Sequence, residues 1–353
     1  MQPRLALSFL GHINYMLEYI QERYREPDIM LEPMNAIEFQ DRFQTEEDCL
    51  AYIEKMRWPQ GFICPNCSHD FGYRLSQRRV IQCAVCRKQT SVTAGTIFHK
   101  TRTPLRHWFW MIFQMGQDKG GASSVRLAKQ LGGFQSTVWN QLQKLRHAME
   151  RRDERISLAG FIELDEAIIG PQARKTGRQK DDDDDNKKGP RPKRLGRLGP
   201  KGTTRKTQTE VVVMVEREKA KAGNLAMHVV YKTTRDDLRE AVQLHVEDNR
   251  QSFKTDAIQS HFVLKSMGHD LSALPLSNSP ASIQELPLVH RAISLLKRFL
   301  LGTYHGVSAR YLPRYLSEFA FRWNRRDKEE TLWSSLLRAA CFALPMQYAE
   351  LSL

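Results

Sequence analysis

Two groups of residues in this sequence have types and spacings suited to chemistry. Cys64 and Cys67 form one CxxC, and Cys83 and Cys86 form a second about 15 residues downstream. Each CxxC makes a knuckle that delivers two thiolates to one tetrahedral ion, and this spacing is that of a zinc ribbon. The structural and functional readings coincide, because the ion would fold the module. A redox pair is the competing reading, and two pairs at this separation argue against it. The other group lies in "FIELDEAIIG", Phe161 to Gly170, which alternates like a strand yet carries Glu163, Asp165 and Glu166. Burying an unpaired carboxylate costs several kcal/mol, so something must compensate, and a metal ion is the leading candidate. In a strand Glu163 and Asp165 point to one face and Glu166 to the other. Asp256 closes a second strand-like run, "SFKTDAIQ". A pair of Asp side chains from neighbouring strands suits Mg²⁺ or Mn²⁺, hard ions that take oxygen ligands. Glu163 and Glu166 stay open between a supporting and a structural role.

The elements that must position these groups follow from the pattern along the chain. "TEEDCLAYIEKMRW" reads as a helix with Thr45 as N-cap and Leu50, Ile53 and Met56 on its inner face. Between the cysteine pairs, "YRLSQRRVIQC" alternates as a hairpin should. The basic residues there include Arg78 and Arg79, candidates for DNA contact, while His69 reads as a surface residue. "LRHWFWMIFQMGQ", Leu105 to Gln117, is a dense apolar helix whose aromatics read as core. A short helix from Ser123 or Ser124 to Leu131, a turn at Gly132 and Gly133, and a helix opened by Ser136 or Thr137 describe a helix-turn-helix. Val138, Leu142 and Leu145 supply its inner face. Gln135, Asn140, Gln143 and Lys144 are then the expected outward, DNA-reading side chains. On shape alone any helical hairpin fits equally well.

After the carboxylate strand comes a low-complexity stretch, residues 171–207, with an acidic block from Asp181 to Asp185 between basic arms. Five like charges in a row repel, so the block reads as a solvated loop and the arms as candidates to track phosphates. Regular patterning resumes with strands at "TEVVVMVER" and "LAMHVVYK", a helix at "TRDDLREAVQLHVE", the Asp256 strand and a short strand at "HDLSALPL". Helices at "VHRAISLLKRFLLGT" and "LPRYLSEFAFRWNRR" close the region. Three strands, a helix, a fourth strand, then helices around a fifth is the order of a ribonuclease-H-like fold. In that order Asp165 and Asp256 meet, although about 90 residues separate them. Arg322 and Arg326 share a helix face and could grip phosphates, or simply form a solvated helix end.

The expected architecture is therefore multidomain α+β. An extension (1–33) and a helical lead-in (34–60) precede a zinc ribbon (61–99) and a helix-turn-helix region (100–155). An α/β ribonuclease-H-like domain with a mixed five-stranded sheet (156–330) and a C-terminal helix (331–353) follow. The chain has 353 residues, with 41% hydrophobic and 27% charged, as expected for a globular protein. Its net charge of +14 calls for a polyanionic partner, nucleic acid by default, or an exposed basic tail. No apolar run reaches the roughly 18 residues that span a bilayer, and the opening "LALSFLGHI" lacks a signal-peptide cleavage site. Cys49 and Cys341 read as free thiols, which favours a reducing cytoplasm. Met1 and Met34 are both possible starts.

Several strings together resemble a prokaryotic insertion-sequence transposase of the acidic-triad class with an N-terminal zinc ribbon. They are "AIEFQDRF", "RWPQGFICPNC", "GTIFHKTRTPLRHWFWMI", "FIELDEAIIG", "KTDA", "VHRAISLLKRFLLGTYHGVS" and "YLSEFAFRWNRR". The resemblance implies a metal-dependent enzyme that binds its terminal inverted repeats, cuts there and joins the ends to target DNA. It implies Asp165 and Asp256 as the first two acids, double-stranded DNA as partner, a homo-oligomer on that DNA, and a nucleoid-associated location. This chain departs from the family where its first strand ends "AIIGP". It also departs where many members place Glu or Asn in the helix that here carries Ser294 and Leu295. Glu285, His290 and Lys297 are the candidates left for the third role. The alternatives are a decayed transposase that only binds DNA, and a zinc-ribbon adaptor for protein contacts. The paired Asp strands and the charge count against the adaptor.

Overall fold

The computed structural model describes residues 31–170, 209–219, 221–230, 233–274 and 285–346. The acidic block with its basic arms, and nearly all of the N-terminal extension, fall outside the described residues.

Two short helices come first among the described residues, α1 (Ala36–Arg42) and α2 (Glu46–Arg57). Both start in capping boxes, Asn35 with Glu38 and Thr45 with Asp48, each satisfying amides that the first helical turn leaves unpaired. The ribbon is an antiparallel sheet of β1 (Gly72–Leu75), β2 (Val80–Cys83) and β3 (Gln89–Ser91). The aromatic helix α3 (Leu105–Gln117) precedes the helix-turn-helix pair, α4 (Ser124–Leu131) and α5 (Gln135–Asp153). Gly132 closes α4 in the left-handed conformation, φ +64°. α5 starts at Gln135, with Phe134 at the cap position, rather than at Ser136 or Thr137.

The five-stranded sheet contains β4 (Phe161–Ile169), β5 (Thr209–Glu218), β6 (Lys221–Val230), β7 (Ser252–Asp256) and β8 (Asp270–Leu274). Its order is β6-β5-β4-β7-β8, with β4–β5 and β5–β6 antiparallel and β4–β7 and β7–β8 parallel. That is the ribonuclease-H-like order expected from the pattern. α6 (Arg235–His245) and the single turn α7 (Val263–Ser266) cover one face, through Leu238, Ala241 and Leu264 against Ile162, Leu164 and Met214. α8 (Pro287–Gly302) and α9 (Leu312–Trp323) cover the other, through Val289, Leu296 and Phe319 against Ala167, Val211 and Val213.

The last helix, α10 (Leu332–Phe342), returns to the N-terminal helices. Its Trp333, Leu336 and Leu337 share a core with Phe39, Phe43 and the apolar face of α3. Gly116 on α3 makes this possible, since a Cβ there would stand 2.8 Å from the Trp333 backbone. Among the described residues no helix is long and apolar enough to cross a membrane.

Candidate active site and metal centre

The carboxylates of β4 separate by face. Glu163 is fully buried and faces α8. It accepts hydrogen bonds from the backbone N–H groups of Leu288 (2.8 Å) and Val289 (3.1 Å) and pairs with Arg217 at 2.7 Å. An anion at the positive end of a helix is favourable, so Glu163 caps α8 and locks it to the sheet. Its role is structural.

Asp165 lies two residues further along the same face. β4 and β7 run parallel with Glu163 opposite Lys254, so two residues on, Asp165 and Asp256 end up on neighbouring strands. The backbone N–H of Glu166 donates to Asp165 at 2.8 Å, and His290 Nδ1 of α8 stands 3.6 Å from its Oδ2. Burial pushes the Asp165 carboxyl up to about 6, and the nearby Glu166 and Asp256 charges add to that, against the pull of the Glu166 amide and His290. Here is a buried acid with too little compensation from the protein alone.

Glu166, on the opposite face, meets His261. Its Oε1 lies 2.7 Å from His261 Nε2, while Asp256 Oδ1 lies 2.9 Å from His261 Nδ1. Burial pulls the imidazole down, but the bonds to Asp256 and Glu166 outweigh it and hold His261 up at about 10. A carboxylate on each ring nitrogen requires the doubly protonated ring. His261 was not singled out from the sequence. The only signal was its place five residues after Asp256, where a tight turn (Gln259–Phe262) brings the ring back under the strand end.

The other expected site residues are placed as follows. His290 comes to Asp165. Glu285 does not, for its carboxylate pairs with Lys254 at 2.7 Å. Lys297 is exposed, about 10 Å of helical rise beyond His290. Ser294 is exposed between them.

The four cysteines of the ribbon converge. Their sulfur atoms lie within 4.8 Å of one another, with Cys64–Cys86 and Cys67–Cys83 both at 3.5 Å. A tetrahedron of Zn–S bonds near 2.3 Å has edges of about 3.8 Å, so the thiolates fit zinc. The ribbon's own core is small, Phe62 and Ile81 beside Cys64 and Cys83.

Several expected DNA contacts are corrected. Gln143 is fully buried and donates to Tyr315 at 3.4 Å. Lys144 is half-buried, with its ammonium shifted down by burial, and Asn140 is partly buried. The reason is that α5 is clamped between α9 and α10, so its exposed residues are confined to the first turn, Phe134 to Thr137, and to Arg151 in the last. Gln135 is exposed there and donates to Ser124 Oγ at 2.9 Å. Arg322 is bound to the buried Glu318 at 2.9 Å. Arg326 donates to the Trp323 (2.8 Å), Gly223 (3.1 Å) and Ala222 carbonyls. Neither arginine ends a solvated helix: Arg322 is held within α9, and Arg326 ties the end of α9 to β6. In the ribbon Arg78 is exposed, and Arg79 pairs with Glu47 at 2.6 Å.

Comparison with known proteins fits this geometry. A family profile described as an ISXO2-like transposase domain matches residues 157–324, the sheet with its carboxylates, and a transposase zinc-ribbon profile matches residues 44–89. The chain carries an insertion-sequence transposase domain behind a transposase zinc ribbon. A relative from Halobacterium salinarum, described as an uncharacterized protein in transposable element ISH50, is 26% identical to this chain over 142 residues. The match covers 39% of this chain and 46% of that relative, so it spans less than half of the relative's length. Among solved structures, a Mos1 strand transfer complex superposes on 66% of the chain and 74% of its own, with 14% identity and a TM-score of 0.26. A Mos1 paired-end complex with the left transposon end gives 66%, 75%, 16% and 0.27. Superpositions this loose carry no argument, and the family rests on the two sequence profiles.

Proposed function

We propose that this transposase binds the terminal inverted repeats of its insertion sequence, cuts DNA strands there and joins them to target DNA, as a homo-oligomer that holds two ends together. The single observation behind the reading is the Asp165–Asp256 juxtaposition on parallel strands inside a transposase domain. The converging ligand group is Glu166, Asp256 and His261, and the mostly buried Asp165 lies near enough to Glu166 and Asp256 for their charges to raise it. Those features suit Mg²⁺ or Mn²⁺, held by Asp165 and Asp256. When bound, such an ion supplies activation of the attacking oxygen and charge to offset the leaving oxygen of an in-line displacement.

The chain's own residues do the rest. Glu163 fixes α8, and so places His290 at the edge of the reacting phosphate. His261 holds Asp256 and Glu166 at a set separation. The ribbon, with zinc on its four cysteines, and the exposed first turn of α5 are the DNA-reading parts. Reading at the ribbon is carried by Arg78, with Arg79 available once it leaves Glu47. The test is cleavage of a duplex carrying the gene's flanking repeat in Mg²⁺ or Mn²⁺. Cutting that Asp165→Asn and Asp256→Asn each abolish supports the reading. Binding without cutting in either metal assigns the chain to the decayed, DNA-binding alternative.

A further inference from the structure

Away from the carboxylates an open cleft of about 1310 Å³ lies between α8, the tip of the β5–β6 hairpin, the end of α9 and the end of α3. Pro287 and Gly302 both line it, so it runs the length of α8, about 22 Å of helical rise. Eight lysines and arginines line it against three acids. Four of those cations are engaged within the protein. Lys119 pairs with Glu329 at 2.6 Å, Arg217 with Glu163, and Arg322 with Glu318, while Arg326 holds backbone carbonyls. The other four, Lys219, Lys221, Arg291 and Arg298, are exposed, and no carboxylate among the described residues pairs with them. Like charges gathered in a concavity repel one another, and a polyanion removes that repulsion.

Three features narrow the occupant. First, Arg291 and Arg298 lie seven residues apart on one stripe of α8. Leu288 and Arg217 also line the cleft and both bond Glu163, two residues from Asp165 on the same face of β4, so the cleft opens beside the carboxylate site. Second, the neutral polar side chains of the lining are committed: Gln117 donates to the Met34 carbonyl at 3.4 Å, and Thr303 to the Gly120 carbonyl at 2.5 Å. The unpaired groups of the cleft are thus cations, whose attraction to phosphate does not depend on sequence. Third, the aromatics at its floor, Phe299, Phe319 and Trp323, are each at most 8% exposed, which rules them out as platforms for unstacked bases.

We propose that the cleft grips the phosphate backbone of duplex DNA lying outside the terminal repeat, independently of sequence, through Lys219, Lys221, Arg291 and Arg298. The proposal rests on the reading of Asp165 and Asp256 as a DNA-cutting site, but its test does not require cutting. Full-length protein in EDTA is titrated against a labelled duplex of unrelated sequence over a range of salt. Arg291→Gln/Arg298→Gln and Lys219→Gln/Lys221→Gln are compared with wild type and with Arg291→Lys/Arg298→Lys. Each neutralised phosphate contact removes about 0.9 from the slope of log affinity against log salt, so each Gln pair lowers it by about 2 and the Lys pair restores it. Preference for repeat-bearing over unrelated duplex holds or rises. The proposal is overturned by unchanged slopes in Gln variants that melt like wild type. Loss confined to the repeat-bearing duplex, or no binding of unrelated duplex by wild type, also overturns it. A slope that falls in a protein that never cuts in Mg²⁺ or Mn²⁺ leaves the cleft standing and refutes the cutting site instead.

Discussion

Two acids two residues apart on β4 are expected to respond to neutralisation with opposite signs. Glu163→Gln keeps the shape but removes the charge that α8 and Arg217 share. Hydrogen bonds to a charged group contribute about 1.5–3 kcal/mol each, and an anion at a partly buried helix N-terminus up to about 2 kcal/mol, with overlap between the two. Gln retains one acceptor, so a loss of about 3 kcal/mol is the working figure. At roughly 2–4 °C per kcal/mol for a domain of this size, melting falls by roughly 6–12 °C. Asp165→Asn does the reverse. A carboxyl held up at about 6 from an ordinary 3.8 represents about 3 kcal/mol of disfavoured ionisation at neutral pH, at about 1.4 kcal/mol per unit. Relief of part of it raises metal-free stability by roughly 1–3 kcal/mol. Because the folded-state value is raised, the wild-type penalty is absent below about 3.8 and complete above about 6, so the Asn advantage appears as pH rises through that window. The assay is thermal and urea unfolding of both variants in EDTA at pH 7.5. Loss of stability in both variants, or a silent Glu163→Gln, refutes the division of roles.

Further outcomes are expected elsewhere. Arg146 and Glu318 are at most 1% exposed, 2.8 Å apart, and join α5 to α9, so Arg146→Ala leaves Arg322 as the one charged partner of the buried Glu318. Loss of a charged hydrogen bond there costs about 1.5–3 kcal/mol in urea unfolding. Zinc chelation, or Cys83→Ser, abolishes amide-exchange protection across 72–91 while that of 105–117 persists, because the ribbon core is too small to hold alone. Arg326→Ala lowers melting yet leaves the salt slope of DNA binding unchanged, since its guanidinium is committed to carbonyls.

Local grammar made much of this fold legible. Thr45 announced α2, Gly132 announced the turn after α4, and the alternation in "FIELDEAII" with the β-rich runs that follow announced the sheet and its order. Polar side chains were read less well, because exposure depends on what packs against a helix from far along the chain. Gln143 looks outward on an isolated α5, but α9 and α10 arrive from about 170–200 residues away and bury it. Arg322 and Arg326 look like a basic helix end until Glu318 and the Gly223 carbonyl are beside them. Glu163 and Asp165 share a strand and a face, and only the arrival of α8 over Glu163 separates a cap from a candidate ligand. His261 had no periodic signal, since a single turn after β7 places it.

The most direct test of the central claim is strand cleavage, by wild-type protein in Mg²⁺ or Mn²⁺, of a labelled duplex carrying the gene's own flanking repeat. The account predicts cutting at the repeat end that chelation stops. Asp165→Asn and Asp256→Asn abolish it, while a folded Lys297→Gln retains repeat binding. Cutting that survives either Asn substitution would contradict it.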